Sequence, residues 1–309
     1  MKIAFLFSGQ GAQYPGMGKE LYENYPCAKE IFDSVHVDFD LKKLCFEGPT
    51  ETLNDTQYAQ ACIFVTSVAC ARVLNECGIY ANVSAGLSLG EYSALSYGEV
   101  CSVNDGANIV RARGKIMANA LPLGTTSMAA VLMLDERSIK DACNEVSSIG
   151  ICEIANYNCP GQIVITGENE ALKACSQKCL EKGARKVMPL QTSGAFHSSL
   201  LKEASHHLRE VLTNYDLKPS KIPVYHNISG TILNDSYLSI LSKQIASSVY
   251  FEQTISNMLK DGVDTFIEVG PGSTISGFVK KCTKGMDVKI LHVEDQASLD
   301  ETLNKLKGN

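Results

Sequence analysis

The spacing of apolar and polar positions divides the chain into buried strands and helices with one polar side. Lys2 to Phe7 is apolar after its first residue and predicts a strand covered on both faces. The loop Ser8-Gly9-Gln10-Gly11-Ala12-Gln13 follows, and a helix begins near Met17. Helical spacing returns over Gln60 to Cys77 and Val103 to Ala120. Between them the strand-like Asn82-Val83-Ser84-Ala85 runs into Gly86-Leu87-Ser88-Leu89-Gly90 and the helix-like Glu91 to Ser96. This alternation predicts α/β layering.

The rhythm then changes. Ser127 to Leu134 is strand-like, and Glu136 to Val146 has helical spacing with Asp135 placed to cap it. Gly150 to Ala155 and Gln162 to Thr166 read as strands around a turn-rich connection, Asn156-Tyr157-Asn158-Cys159-Pro160-Gly161. A helix over Glu168 to Lys182, stopped by Gly183, and a strand over Arg185 to Leu190 complete a β-α-β-β-α-β unit of ferredoxin-like order. After it the α/β pattern resumes: a helix over Ser198 to Thr213, strands near Val224 and Phe266 to Val269, and Gly270-Pro271-Gly272 opening another helix. The expected architecture is a hydrolase-like α/β core with a mainly parallel sheet. Residues 1–124 and 194–309 form the core, interrupted by a small ferredoxin-like subdomain over 125–193. A cleft is expected where the two meet.

Composition narrows the class. At 309 residues, 45% hydrophobic and 20% charged, the chain can bury a sizeable core and is neither disordered nor fibrous. Met1 to Phe7 reaches Ser8-Gly9 too soon for a signal peptide, and no apolar run approaches a membrane span of roughly 20 residues, so a soluble cytoplasmic protein is expected. The net charge of −6, without a basic-aromatic stripe, argues against nucleic acid as a partner. The twelve cysteines are scattered and read as reduced core thiols. No Cys-x-x-Cys pair occurs, and Cys175 and Cys179, one helical turn apart with no histidine near, do not suggest zinc, so no metal is expected. The first loop lacks the third glycine of a dinucleotide fingerprint and the Gly-Lys pair of a P-loop.

Gly86-Leu87-Ser88-Leu89-Gly90 puts a serine on a strand-to-helix turn, the arrangement of a nucleophile elbow. The glycines let the backbone bend sharply, and the helix start offers unpaired N–H groups to developing negative charge. The same five residues would serve as a tight turn into a core helix. A serine nucleophile needs a base, and of six histidines only His197 has a distinctive setting, the small-residue loop Thr192-Ser193-Gly194-Ala195-Phe196-His197-Ser198. His36, His206, His207, His226 and His292 read as surface or packing residues.

Six blocks stand in one order: Gly9 to Gln13; Gly86 to Leu95; Arg113-Gly114; Asn156 to Gln162; Gly194 to Ser198; and Glu268-Val269-Gly270-Pro271-Gly272. From near residue 3 to about residue 293 the chain thereby resembles the malonyl-CoA:acyl carrier protein transacylases. The resemblance implies that Ser88 accepts malonyl from malonyl-CoA and passes it to the phosphopantetheine thiol of acyl carrier protein in fatty acid synthesis, with His197 as proton shuttle and no permanently bound cofactor. It implies an oxyanion site of the Gln10 and Leu89 backbone amides. It also assigns Arg113 to the substrate carboxylate, and to Gln244 the main-chain carbonyl that orients the imidazole. Read alone, Arg113 and Gln244 would be polar residues on exposed helix surfaces.

Phe196 matches the residue that accompanies malonyl selection in related polyketide acyltransferases, and Asn156 and Asn158 match cleft positions, although packing and turn formation account for these three equally well. Leu87 stands where the family often has histidine, leaving a polar contact in the cleft unsupported; Ser8 and Ser248 stand where proline is common. The expected partner is an acidic acyl carrier protein, met by candidates Arg185, Lys186, Lys115, Lys280 and Lys281, and the expected state is a monomer. Competing readings are a free-standing malonyl acyltransferase that loads polyketide carrier domains, a serine thioesterase or hydrolase, and a carrier-docking subunit without catalysis.

Overall fold

The computed structural model describes residues 1–192 and 194–308; Ser193 and Asn309, which close the expected segments 125–193 and 194–309, lie outside the described residues. In chain order the strands are β1 (Ile3–Phe7), β2 (Val83–Gly86), β3 (Thr126–Leu132), β4 (Cys152–Cys159), β5 (Gln162–Glu168), β6 (Lys186–Pro189), β7 (Val249–Tyr250), β8 (Thr265–Val269) and β9 (Lys289–Val293). They build a four-stranded sheet in the order β2-β1-β8-β9 and a five-stranded sheet in the order β6-β3-β5-β4-β7.

The first sheet is parallel throughout, and its register levels the strand ends: Phe7 lies opposite both Gly86 and Val269. The loops that leave β1, β2 and β8 therefore emerge together at the carboxyl edge, where open α/β sheets bind ligands. β1 is buried on both faces: Phe5 and Phe7 join one apolar cluster, while Ala4 and Leu6 join another. The mixed α/β core expected from the patterning is thus present.

The Thr56–Glu76 helix is long and apolar enough to cross a membrane, against the expectation that no segment approached that length. It is buried along almost its whole length and packs on the Val103–Ala118 helix, which makes it the central helix of the core.

Within the second sheet, β3 to β6 follow the β-α-β-β-α-β order, antiparallel, with the Glu136–Glu145 and Asn169–Glu181 helices on one face. Ala129 and Val131 pack beneath those helices, while Met128 and Ala130 turn to the main core, the alternation a sheet covered on both faces requires. Two expectations fail here. Asn156 to Cys159 is not a turn but the second half of β4, because Asn156 and Tyr157 pair with Val249 and Tyr250 of β7 as well as with β5; only Pro160-Gly161 turns the chain, with Gly161 at φ 77°. Val224 makes a single bridge to Ser84 and no strand.

Candidate active site

The turn after β2 depends on two absent side chains. A methyl group on Gly86 would lie 1.9 Å from the carbonyl carbon of Gly90, and one on Gly90 would lie 2.1 Å from the Phe7 carbonyl oxygen, so only glycine lets strand, turn and the Gly90–Tyr97 helix close on one another. Ser88 sits in the left-handed region at φ 53°, a conformation worth about 1–3 kcal/mol of strain for a non-glycine residue. Its surroundings over-determine it. The Ser88 N–H donates to Asn227 Oδ1 at 2.7 Å, and its carbonyl accepts from Gln244 Nε2 at 2.8 Å and from the Glu91 N–H at 3.2 Å.

The 194–198 loop brings His197 to this turn across 109 residues of sequence. His197 also has a positive φ, 59°, and its N–H donates to the Ile245 carbonyl at 3.0 Å. Its Nδ1 lies 3.0 Å from the Gln244 carbonyl oxygen. A carbonyl only accepts, so Nδ1 carries the proton and the Nε2 lone pair faces Ser88 Oγ, 2.7 Å away. The ring is 4% exposed; burial, and secondarily the Arg113 cation, lower its pKa to about 4, which leaves it neutral near pH 7.

Arg113 is 1% exposed. Its guanidinium donates to Gln60 Oε1 at 2.8 Å, Gln244 Oε1 at 2.9 Å and Ser88 Oγ at 3.0 Å, and it stands 5.2 Å from the centre of the Tyr92 ring. Every one of these acceptors is uncharged, and among the described residues Nε has no partner and no carboxylate comes within ion-pair distance. Arg111 points elsewhere. It pairs with Asp38 at 2.7 Å, and with Lys115 it holds that carboxyl well below the usual range.

The first loop completes the arrangement. A methyl on Gly9 would approach the Leu87 carbonyl to 2.7 Å, so the Ser8–Gln13 loop lies directly against the elbow. The Gln10 side chain donates to Thr56 Oγ1 at 2.8 Å and meets Gln60 Nε2 at 3.5 Å, which links it through Gln60 to Arg113. Among the described residues neither the Gln10 nor the Leu89 amide donates to a protein acceptor. Leu87, expected to leave a polar contact unsupported, packs instead on Gly9 and on the Ala4 and Leu6 cluster, so its site is apolar.

Gln244 is not a helix-surface residue: it is fully buried, and its carboxamide joins Arg113, the Ser88 carbonyl and Glu91 Oε2, the last at 2.7 Å. Phe196, Asn156 and Asn158 are buried, Phe196 in the main core and the asparagines on β4, but among the described residues no hydrogen bond ties them to Ser88, His197 or Arg113. Asn158 Oδ1 has no partner among those residues. Arg185, Lys186, Lys280 and Lys281 are exposed, whereas Lys115 is engaged by Asp38 at 2.5 Å.

Four residues of the site escaped the sequence reading. Glu91 is fully buried; it accepts from Gln244 Nε2 and from the Asn227 N–H at 3.2 Å, and it meets His226 Nδ1 at 2.7 Å. Asn227 binds the Ser88 amide and donates to the Gly86 carbonyl at 2.7 Å. Gln60 holds Arg113. His226, read as a surface or packing histidine, is buried at 2% exposure, and what the sequence did not show is its hydrogen bond to this network. Only Glu91, directly after the elbow in a helix first turn, carried a local signal.

The sequence matches the acyl transferase domain family over residues 4–301. A malonyl CoA-acyl carrier protein transacylase of Bacillus subtilis is 41% identical over 311 aligned positions, covering 99% of this chain and 98% of the relative. The crystal structure of a malonyl CoA-acyl carrier protein transacylase from Clostridium perfringens superposes with a TM-score of 0.96 at 40% identity, covering 100% of this chain and 98% of that one. A malonyl-transacylase solved in complex with a type II polyketide acyl-carrier protein superposes at 0.94 with 33% identity, all of both chains being covered.

Proposed function

Since the chain belongs to the acyl transferase family and, within it, to the malonyl-CoA:acyl carrier protein transacylases, we propose that it carries malonyl from CoA to a carrier-protein thiol on Ser88. The observation that carries the assignment of residues is Arg113: a buried cation, 3.0 Å from the nucleophile, with only uncharged acceptors around it. A buried cation with no carboxylate in direct contact is expensive, and since Glu91 reaches it only through the Gln244 carboxamide, a carboxylate delivered by the acyl group would supply the missing direct partner in bidentate form. A hydrolase of neutral esters has no use for that group.

The cycle follows from the geometry. Ser88 Oγ attacks the thioester carbonyl while His197 Nε2 takes its proton, and the two amides of Gln10 and Leu89 receive the oxyanion. As the tetrahedral species collapses, the C–S bond breaks and His197 returns the proton to the departing CoA sulfur. The phosphopantetheine thiol then gives its proton to His197 and attacks the malonyl ester, and Ser88 leaves with that proton. A thiol ionises far more readily than an amine, so the leaving group needs less help. This suits an imidazole oriented by the Gln244 carbonyl rather than by an aspartate. Every chemical group in this cycle belongs to the protein or its two substrates, so the cycle calls on no resident cofactor, and the protein's share of them lies within one chain, so a monomer would suffice.

The acyl carrier of fatty acid synthesis is the proposed acceptor, in the reducing cytoplasm that the twelve free thiols suit. The polyketide complex among the structural neighbours supports a second reading, a polyketide carrier, at the same site. Intact mass after malonyl-CoA and then holo carrier protein tests both: a malonyl adduct absent from Ser88→Ala should form and then discharge, and the better acceptor identifies the pathway. Release of free malonate as the main product would overturn transfer. Exposed Arg185, Lys186, Lys280 and Lys281 support an acidic carrier surface, so added salt should slow transfer to the carrier more than transfer to free pantetheine. Equal salt sensitivity would remove that docking role.

A further inference from the structure

The subdomain built on β3 to β6 contains a feature that malonyl transfer does not use. Cys143 on the Glu136–Glu145 helix, Cys152 at the start of β4 and Cys175 on the Asn169–Glu181 helix come from three separate elements, yet their sulfur atoms all lie within 4.8 Å of one another. Cys143 Sγ and Cys175 Sγ are 3.7 Å apart. Cys152 and Cys175 are buried, and the surrounding side chains, Ile139, Ala142, Ile165 and Leu172 among them, are apolar and belong to a cluster of their own, separate from those that flank Ser88. Sequence spacing hid the group because its members are 9 and 23 residues apart.

We propose that Cys143, Cys152 and Cys175 form a binding site for one soft metal ion, Zn2+ in the first instance. A tetrahedral zinc ion bonded to thiolates at about 2.3 Å sets its sulfur atoms about 3.8 Å apart. The Cys143–Cys175 pair already has that spacing, and the remaining edges close by an ångström or less, within reach of side-chain rotation. The donor set is all sulfur, which selects zinc or cuprous ion over magnesium or calcium. Cys143 is partly exposed and gives the ion a path in, and the fourth position is left for water on that side or for buried Cys179, one helical turn beyond Cys175. Binding exchanges three S–H bonds for three S–metal bonds and releases the thiol protons to solvent, so uptake weakens as pH falls. The bound ion would tie the two helices to the edge of β4.

The test uses the full-length, reduced, metal-free protein. Titration with Co2+ should produce an intense sulfur-to-metal absorption band saturating at one ion per chain and abolished by stoichiometric Zn2+, with native mass spectrometry reporting the same count. Zn2+ should slow alkylation of Cys143 by about tenfold or more in the wild-type protein while leaving Cys27 unchanged, a readout that requires no variant to fold. Cys143→Ser should lose the ion while keeping wild-type malonyl loading. No ion at stoichiometric metal, an unchanged Cys143 alkylation rate, or an ion retained by Cys143→Ser would each overturn the site, as would mild oxidation giving a Cys143–Cys175 disulfide in protein that takes up no metal.

Discussion

Replacing Arg113 by alanine separates the carboxylate clamp from every structural role the residue has. In the wild-type protein the guanidinium supports Gln60 and Gln244 and touches Ser88 Oγ. Its loss leaves two buried amide oxygens without a donor, at about 1–3 kcal/mol each, and removes one hydrogen bond from the nucleophile. Those losses are the same whichever thioester is loaded. In the proposed role, the malonyl carboxylate alone then loses its counter-ion, and removing one member of a buried charge pair costs about 2–5 kcal/mol. At about 1.36 kcal/mol per decade the malonyl-over-acetyl ratio of kcat/KM should fall about 30- to 5,000-fold. Steady-state loading of Ser88 from malonyl-CoA and acetyl-CoA, measured side by side, gives the ratio directly, and Arg113→Lys, which keeps the charge without the planar fork, should fall between. A variant that loses both activities in equal proportion would refute the clamp and leave Arg113 a purely structural residue.

Two further outcomes follow from the same geometry. With the His197 pKa held near 4 by burial and Arg113, the imidazole stays neutral through most of the acid range, so if it is the base as proposed the acid limb of kcat/KM should lie near pH 4; a limb at 6.5 or above would contradict that assignment. For stability the sign is fixed by the unfolded chain, whose histidine takes a proton near 6.5 while the folded one resists until about 4. The folded state therefore loses up to about 3 kcal/mol as pH falls across that window, a slope in urea midpoints that His197→Gln should remove. Gly90→Ala should push β1 and the elbow apart, since its methyl would meet the Phe7 carbonyl at 2.1 Å: a destabilisation of about 1–3 kcal/mol and a loading rate down at least about 100-fold are expected, and a wild-type melt with wild-type loading would refute the close approach.

What was legible in the sequence was what the chain encodes locally. The elbow could be read because strand, glycines, serine and helix are consecutive, and His197 because its loop is unlike that of any other histidine. Arg113 and Gln244 looked like surface residues, and only the family resemblance separated them from the rest: a helix face does not announce that it will be covered by another helix far away in sequence. Asn156 to Cys159 was misread because turn-forming residues also fit a strand when a distant segment, here Val249 and Tyr250, pairs with it. His226 and Glu91 are 135 residues apart, farther than any spacing rule reaches, and the three clustered thiols come from three separate elements at spacings that match no metal-ligand pattern.

The two-residue strand β7 has a mechanical consequence. Tyr157 of β4 stacks on Tyr250 with ring centres 5.0 Å apart, and the Tyr250 N–H donates at 2.8 Å to the carbonyl of Asn227, whose side chain holds the Ser88 amide. One short segment thus couples the five-stranded sheet to Ser88 through a continuous run of backbone and amide contacts. A graft of the proposed 125–193 subdomain, cut at its sequence borders, would for that reason leave this partner of β4 behind in the recipient. Moving the sheet β3 to β6 with its pairing intact therefore requires moving residues 249–250 along with it.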